Sequence, residues 1–350
     1  MDFDFDEIVA TRTYVDCYCN DNISSDDIKG ILNPNFINKT LNEIDNFLYG
    51  GFNYFSKRVP FTLAGGSLLS YCSYYIATKN DYGNPKSYLD WLEYSGNSDI
   101  DLFFECEEDY IKMLEAVQKN GFSNLSPKPN AKSFYKKRGK NKNTISIDLV
   151  HKDYSAPQKL IDRFDLNKSK IAISSYGNLY IGNDFDNYLC LNPLNINYNT
   201  ISRFKKYSIT KHIQPSYKTL QELVHIFIDK QDEVYESFYN DEKRDIPMYG
   251  GLENLITIIV DCKKLYNIDL KLSRDEVFNL YLILEKHFSE KDRLISFFTK
   301  IINEDSIDYI PKIYELLLQR QDRFYGKQFE DNMDESIRDK VLETYPEIMF

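Results

Sequence analysis

The chain has 350 residues, with 54 Asp and Glu against 43 Lys and Arg, a net charge of −11 and 42% apolar residues. That length supports two domains with real cores, and the composition excludes a collagen, a disordered tail and a disulfide miniprotein. The negative balance argues against nucleic-acid binding through the whole surface and leaves local basic patches as the route to such a partner.

Residues 1–37 read as an acidic and polar N-terminal lead-in, with Ser24, Ser25, Asp26 and Asp27 as turn or helix-start signals. The opening MDFDFDEI is unlike a signal or transit peptide, and no apolar run approaches the length of a bilayer span. Cytoplasmic residence and no membrane partner are therefore expected. From Asn38 to Phe55 the apolar positions Leu41, Ile44, Phe47 and Leu48 recur at helical spacing, and Gly50-Gly51 is the stop.

The stretch FTLAGGSLLS, Phe61 to Ser70, is a short apolar strand running through Gly65-Gly66-Ser67 into a helix-compatible run. Glycines there permit close backbone approach, and the amides of a new helix point at an anion, so the segment is a candidate phosphate cradle in which Ser67 both caps the helix and touches phosphate. Asn80 to Asn97 reads as a long loop with a short helix, a kind of segment that is often functional beside a site. In Asp99-Ile100-Asp101, followed by Leu102, Phe103 and Phe104, alternation predicts a buried strand with both carboxylates on one face. Such an oxygen-only pair suits magnesium or manganese.

Glu108 to Asn120 reads as a helix closed by Gly121. The most basic stretch follows, Lys128 to Lys142. Phe134 to Lys137 and Thr144 to Val150 are expected to pair as a hairpin around Arg138-Gly139-Lys140-Asn141, carrying a third acid, Asp148, on an alternating strand. Lys136, Lys137, Arg138 and Lys140 are candidate contacts for RNA or nucleotide phosphates, the alternative being a solvated hairpin tip. Ser155-Ala156-Pro157 opens a helix with serine as cap. Lys170 to Ser174 and Asn178 to Ile181 form two short strands around a turn. Asp165 reads as a cap or turn former rather than a fourth acid.

Arg203, Lys205, Lys206, Lys211 and Lys218 flank a further helix; Arg203 and Lys206 are the nucleotide-binding candidates among them, with an exposed basic helix face as the competing account. From Tyr217 onward helical periodicity takes over. Stripes run through Leu220, Leu223, Val224 and Phe227; Leu255, Ile256, Ile259 and Val260; Val277, Leu280, Leu284 and Phe288; and Ile313, Leu316 and Leu317. The expected architecture is α+β: a mixed-sheet domain over 38–215 followed by an all-α domain over 216–350, with an acceptor cleft between them. Six scattered cysteines without a CxxC spacing argue for neither zinc nor disulfides, and the four histidines form no nucleophilic triad, His151 being read as structural.

The order GGS, then SDID with Leu-Phe-Phe, then SIDLV resembles the DNA polymerase β-type nucleotidyltransferase superfamily, which includes poly(A) polymerases and CCA-adding enzymes. The run LIDRFDLNKSKIAISSYGNLYIG is similar to phage and viral members. The resemblance implies that Asp99 and Asp101 bind the metals, that Asp148 completes the site and helps deprotonate an attacking hydroxyl, and that Gly65, Gly66 and Ser67 hold the incoming triphosphate. It implies Mg2+ or Mn2+ as cofactor, an NTP, ATP first, as donor, and an RNA 3′ end as acceptor. Transfer to a protein or small molecule, oligonucleotide second-messenger synthesis, and a non-catalytic scaffold for RNA or a partner are the alternatives.

Overall fold

The computed structural model describes residues 23–50, 59–82, 85–95, 99–125, 131–138, 143–151, 154–196, 200–229 and 247–273, with a few positions beyond. Residues 1–22, Gly51 to Phe55, Gly139 to Lys142 with Lys140, and most of the two last helical stripes lie outside this set. The chain forms two compact units, Met1–Ile196 with Thr210–Ile213, and Asn197–Ile209 with Gln214–Phe350.

The first unit is α+β. Helix α1 (Ser25–Ile31) starts at Ser24, whose hydroxyl accepts from the Asp27 amide while the Asp27 carboxylate accepts from the Ser24 backbone, a reciprocal box that satisfies orphan donors. α2 (Pro34–Tyr49) is capped by Asn33 and ends at Gly50 in the left-handed conformation, φ 75°. Strand β1 (Thr62–Ala64) feeds α3 (Gly66–Tyr82), and α4 (Tyr88–Ser95) follows. Next come β2 (Ile100–Phe103), α5 (Glu107–Lys119), β3 (Ser123–Asn124), β4 (Ala131–Lys137), β5 (Thr144–Val150), α6 (Pro157–Asp162), β6 (Ile171–Ser174) and β7 (Leu179–Ile181).

The strands form one mixed sheet in the order β3-β4-β5-β2-β1-β6-β7, antiparallel except for the β2–β5 pair. Period-two alternation divides its residues between two faces. On one, Ile100, Leu102, Phe134, Ile145, Ile147 and Leu149 are buried and α5 packs on β5, while Phe47 of α2 meets Phe122, just before β3, edge-on at 5.1 Å. On the other, Ala64 and Ala172 pack against Leu160 and Ile161 of α6, with Phe103, Phe164 and Tyr180 around them. Asp101 and Asp148 belong to this second face.

One local expectation changes and two gain detail. The short helix expected within Asn80 to Asn97 is α4, which buries Tyr88, Leu89, Trp91 and Leu92; Trp91 meets the rings of Tyr71, Tyr74 and Tyr88 at 5.6, 6.2 and 6.0 Å. The cap of α6 is Ala156, because Pro157 occupies the first helical position and leaves Ser155 one residue too early; the Ser155 amide donates to the Phe104 carbonyl instead. Asp165 lies in the bend after α6, is buried, and its backbone carbonyl accepts from the Asn192 amide.

In the second unit the elements described are helices. α7 (Thr200–Lys205) runs into a π turn at Lys206–Thr210, and α8 (Tyr217–Asp229) and α9 (Pro247–Tyr266) follow. α8 buries Leu220, Leu223, Val224 and Phe227 as its periodicity predicts. α9 buries Leu255 and Ile259 of the stripe read in the sequence together with Ile258 and Cys262, whereas Val260 is half-buried. The Asn254 side chain links it to α7 through Ser202 (3.0 Å) and Lys205 (3.1 Å). Among the described residues no helix is long and apolar enough to cross a membrane.

The start of α1 carries a pH prediction. Hydrogen bonds from the Ser24 hydroxyl and amide hold Asp27 below the ordinary carboxylate range, and those from Ser25 do the same for Asp186, which accepts from the Ser25 hydroxyl and amide at 2.6 Å each. Folded-state values depressed in this way stabilise the fold above the unfolded pKa, near 3.8, and the contribution is lost as pH falls through the folded value. Protection of the Ile28 and Leu32 amides against hydrogen exchange is expected to fall selectively as pH drops below about 4, and the Asp186→Asn variant is expected to have low protection there already at neutral pH.

Candidate active site

Three segments that are distant in sequence meet on the second face of the sheet. Asp101 on β2 and Asp148 on β5 are Cα partners on adjacent parallel strands, so their side chains leave the sheet on the same side about 4.8 Å apart at the backbone. Register places Ala64, the last residue of β1, on the other flank of Asp101. The chain then turns through Gly65, whose φ of +106° favours glycine, and a Cβ there would stand 3.3 Å from Asp101 Oδ2. Glycine is thus favoured by the conformation, and a side chain there would also crowd the carboxylate.

The Gly65 amide is already used, donating to the Ile171 carbonyl at 3.1 Å. Its contribution is the turn itself. The helix begins at Gly66, so Ser67 sits inside the first turn rather than capping it, and the Gly66 and Ser67 amides have no intrahelical acceptor. Ser67 is buried, and its hydroxyl oxygen accepts from Tyr88 Oη at 2.9 Å. Burial pushes the Tyr88 phenol up strongly, and the nearby Asp101 charge adds to this, so Tyr88 stays a neutral donor. Helix α4 therefore reaches the glycine turn directly, which its sequence gave no reason to expect.

Asp99 immediately precedes β2 and is exposed, whereas Asp148 is buried at 6% relative exposure. Among the described residues no three His, Cys, Asp or Glu side chains converge as a ready metal cage. The donor set nevertheless fits magnesium or manganese: these ions are held through one or two carboxylates together with substrate phosphates, and two in-register carboxylates beside first-turn amides supply that combination.

The basic candidates are dispersed. Arg138 pairs with Asp90 at 2.6 Å and with Glu93 at 3.7 Å, tying β4 to α4. Lys136 lies on the face opposite the acids, its Nζ 4.8 Å from the Phe122 ring centroid, and desolvation there lowers its pKa. Lys137, one residue on, shares the face of Asp148 and is exposed. Arg203 and Lys206 belong to the second unit. Lys211, by contrast, belongs to the first: it is buried, and its Nζ donates to the Gly66 carbonyl at 3.2 Å and to Ser70 Oγ. Nothing in the spacing of the basic residues distinguishes Lys211 from its neighbours. His151 packs beside Tyr110, ring centroids 5.6 Å apart.

Gly65→Ala is expected to destabilise the protein by about 1–3 kcal/mol, since it forces a side chain into the left-handed region and against Asp101. Chemical denaturation measures the loss.

No protein-family model matches the sequence, and no curated protein matches it. Among solved structures, the chain is similar to a CCA-adding enzyme in complex with CTP, with 15% sequence identity and a TM-score of 0.39 over 88% of this chain and 72% of that one.

Proposed function

We propose that the protein is a metal-dependent nucleotidyltransferase that moves a nucleoside monophosphate from an NTP, ATP first, to a hydroxyl acceptor, an RNA 3′ end, with release of pyrophosphate. One observation carries this reading: two carboxylates in register on adjacent strands stand beside a glycine turn at which any side chain would be strained and would crowd Asp101. In this reading the Gly66 and Ser67 amides hold the triphosphate at the start of α3. Asp101 and Asp148 hold the divalent ions, with Asp99 as the further acid. When bound, such ions neutralise the phosphates and favour the ionised acceptor hydroxyl.

Asp148 takes the proton of the acceptor hydroxyl. The hydroxyl oxygen forms a bond to the α-phosphorus, the bond from that phosphorus to the bridging oxygen breaks, and pyrophosphate leaves with the electron pair. Tyr88 holds Ser67, and Lys211 holds the Gly66 carbonyl, so the turn is fixed before substrate arrives.

Incubation of the full chain with each labelled NTP, magnesium or manganese, total RNA and lysate protein tests the proposal. Label that is sensitive to ribonuclease supports it. Label on protein or on a small molecule keeps nucleotidyl transfer and replaces the acceptor, and an absence of transfer with every metal and NTP removes the reading in favour of a binding scaffold.

A further inference from the structure

The row of side chains on the second face does not end at Asp148. Ser133 on β4 is the Cα partner of Asp148, as Asp148 is of Asp101, so Asp101, Asp148 and Ser133 project side by side from three adjacent strands. The glycine turn closes the Asp101 end of this row. A nucleotide whose phosphates occupy that turn leaves the attacking hydroxyl to arrive from the Ser133 end.

Ser133 is 3% exposed, and its hydroxyl has no hydrogen-bond partner among the described residues. A buried hydroxyl in that condition is costly, and a ligand oxygen beside Asp148 would satisfy it. Along β4, the residues on the same face are Tyr135, paired with Ser146, and Lys137, paired with Thr144, about 7 and 13 Å from Ser133. Exposure falls in steps along that line, from exposed Lys137 through half-buried Tyr135 to buried Ser133. Among the described residues Lys137 forms no ion pair, whereas Arg138 is bound to α4.

We infer that this face of β4 and β5 is a track for the 3′ end of a single-stranded RNA. This inference rests on the transferase reading and names the residues that would receive the acceptor. Lys137 meets a backbone phosphate, Tyr135 stacks on a base, and Ser133 donates to the terminal ribose next to Asp148. Lys132 and Lys136 lie on the opposite face and take no part. The track is therefore periodic: alternate residues of one strand matter.

The test uses the full chain, a fluorescent single-stranded oligoribonucleotide without NTP, and a parallel assay of labelled NTP transfer to the same oligonucleotide. Tyr135→Ala is expected to weaken oligonucleotide binding about tenfold or more, and Lys137→Glu to weaken it while lowering the salt-dependence slope by about one. Lys132→Glu, an exposed charge reversal on the opposite face, is expected to leave binding near the wild-type value. Ser133→Ala is expected to keep thermal stability, to weaken oligonucleotide binding about 2–10-fold and to lower kcat about tenfold.

Equal weakening by Lys132→Glu and Lys137→Glu would overturn the track, as would wild-type binding by both Tyr135→Ala and Lys137→Glu. If RNA labelling persists in that second case, the transferase reading stands without the track. If the oligonucleotide binds with the expected face dependence and no nucleotide is transferred, the track stands and the transferase reading falls.

Discussion

Replacement of Asp101 or Asp148 by asparagine is expected to lower nucleotide transfer by about a thousandfold while leaving thermal stability unchanged or raising it. The two carboxylates are in register on adjacent strands, so in the folded protein two negative charges are held side by side on one face. Like charges directly opposite one another destabilise a sheet, and removing one relieves that repulsion. The same charge is what a magnesium-bound triphosphate requires, and loss of a group that stabilises developing charge costs about 10²–10³ in rate, more where metal binding fails as well. The two readouts separate the accounts: an acid retained for structure would lose stability on replacement, whereas an acid retained for chemistry loses rate only. Steady-state transfer assays and thermal unfolding of Asp101→Asn and Asp148→Asn measure both.

Trp91→Ala is expected to destabilise the first unit by about 3–5 kcal/mol, whereas Trp91→Phe costs far less. Trp91 is 1% exposed and sits among Tyr71, Tyr74 and Tyr88, so truncation opens a cavity between α3 and α4. Its indole N–H has no hydrogen-bond partner among the described residues, so phenylalanine forfeits packing volume but no hydrogen bond. The consequence extends to function. α4 also carries Tyr88, which donates to Ser67, and Asp90 and Glu93, which hold Arg138. Loosening α4 is expected to raise the KM for NTP even below the unfolding temperature. Denaturant unfolding and NTP titration at low temperature distinguish the two effects.

What the sequence disclosed follows the reach of its signals. The alternation in SIDLV and the basic hairpin were legible because period two and a turn are local properties; the observed pairing runs from Lys137 with Thr144 to Ala131 with Val150. Helix α2 was legible from its apolar spacing and Gly50. The alignment of Asp101 with Asp148 could be anticipated only from the order of motifs, since register between strands 47 residues apart in sequence is set by the assembled sheet. Three features were hidden for the same reason. Tyr88 lies in a segment whose polar flanks read as loop, while its partner Ser67 is 21 residues away. Lys211 has no local mark and is selected by the fold from a run of similar cations. Lys136 and Lys137 are one charge block in the sequence, and a strand separates them to opposite faces.

In the proposed function the glycine turn and the two in-register acids form one site for a metal-bound triphosphate. Calorimetric titration of an NTP analogue that cannot be transferred, with and without magnesium, into wild type and Asp148→Asn tests it most directly. Magnesium-dependent binding to wild type is expected, lost or strongly weakened in the variant, with both proteins equally folded. Equal binding to the two proteins, or no binding to wild type at saturating magnesium, would contradict it.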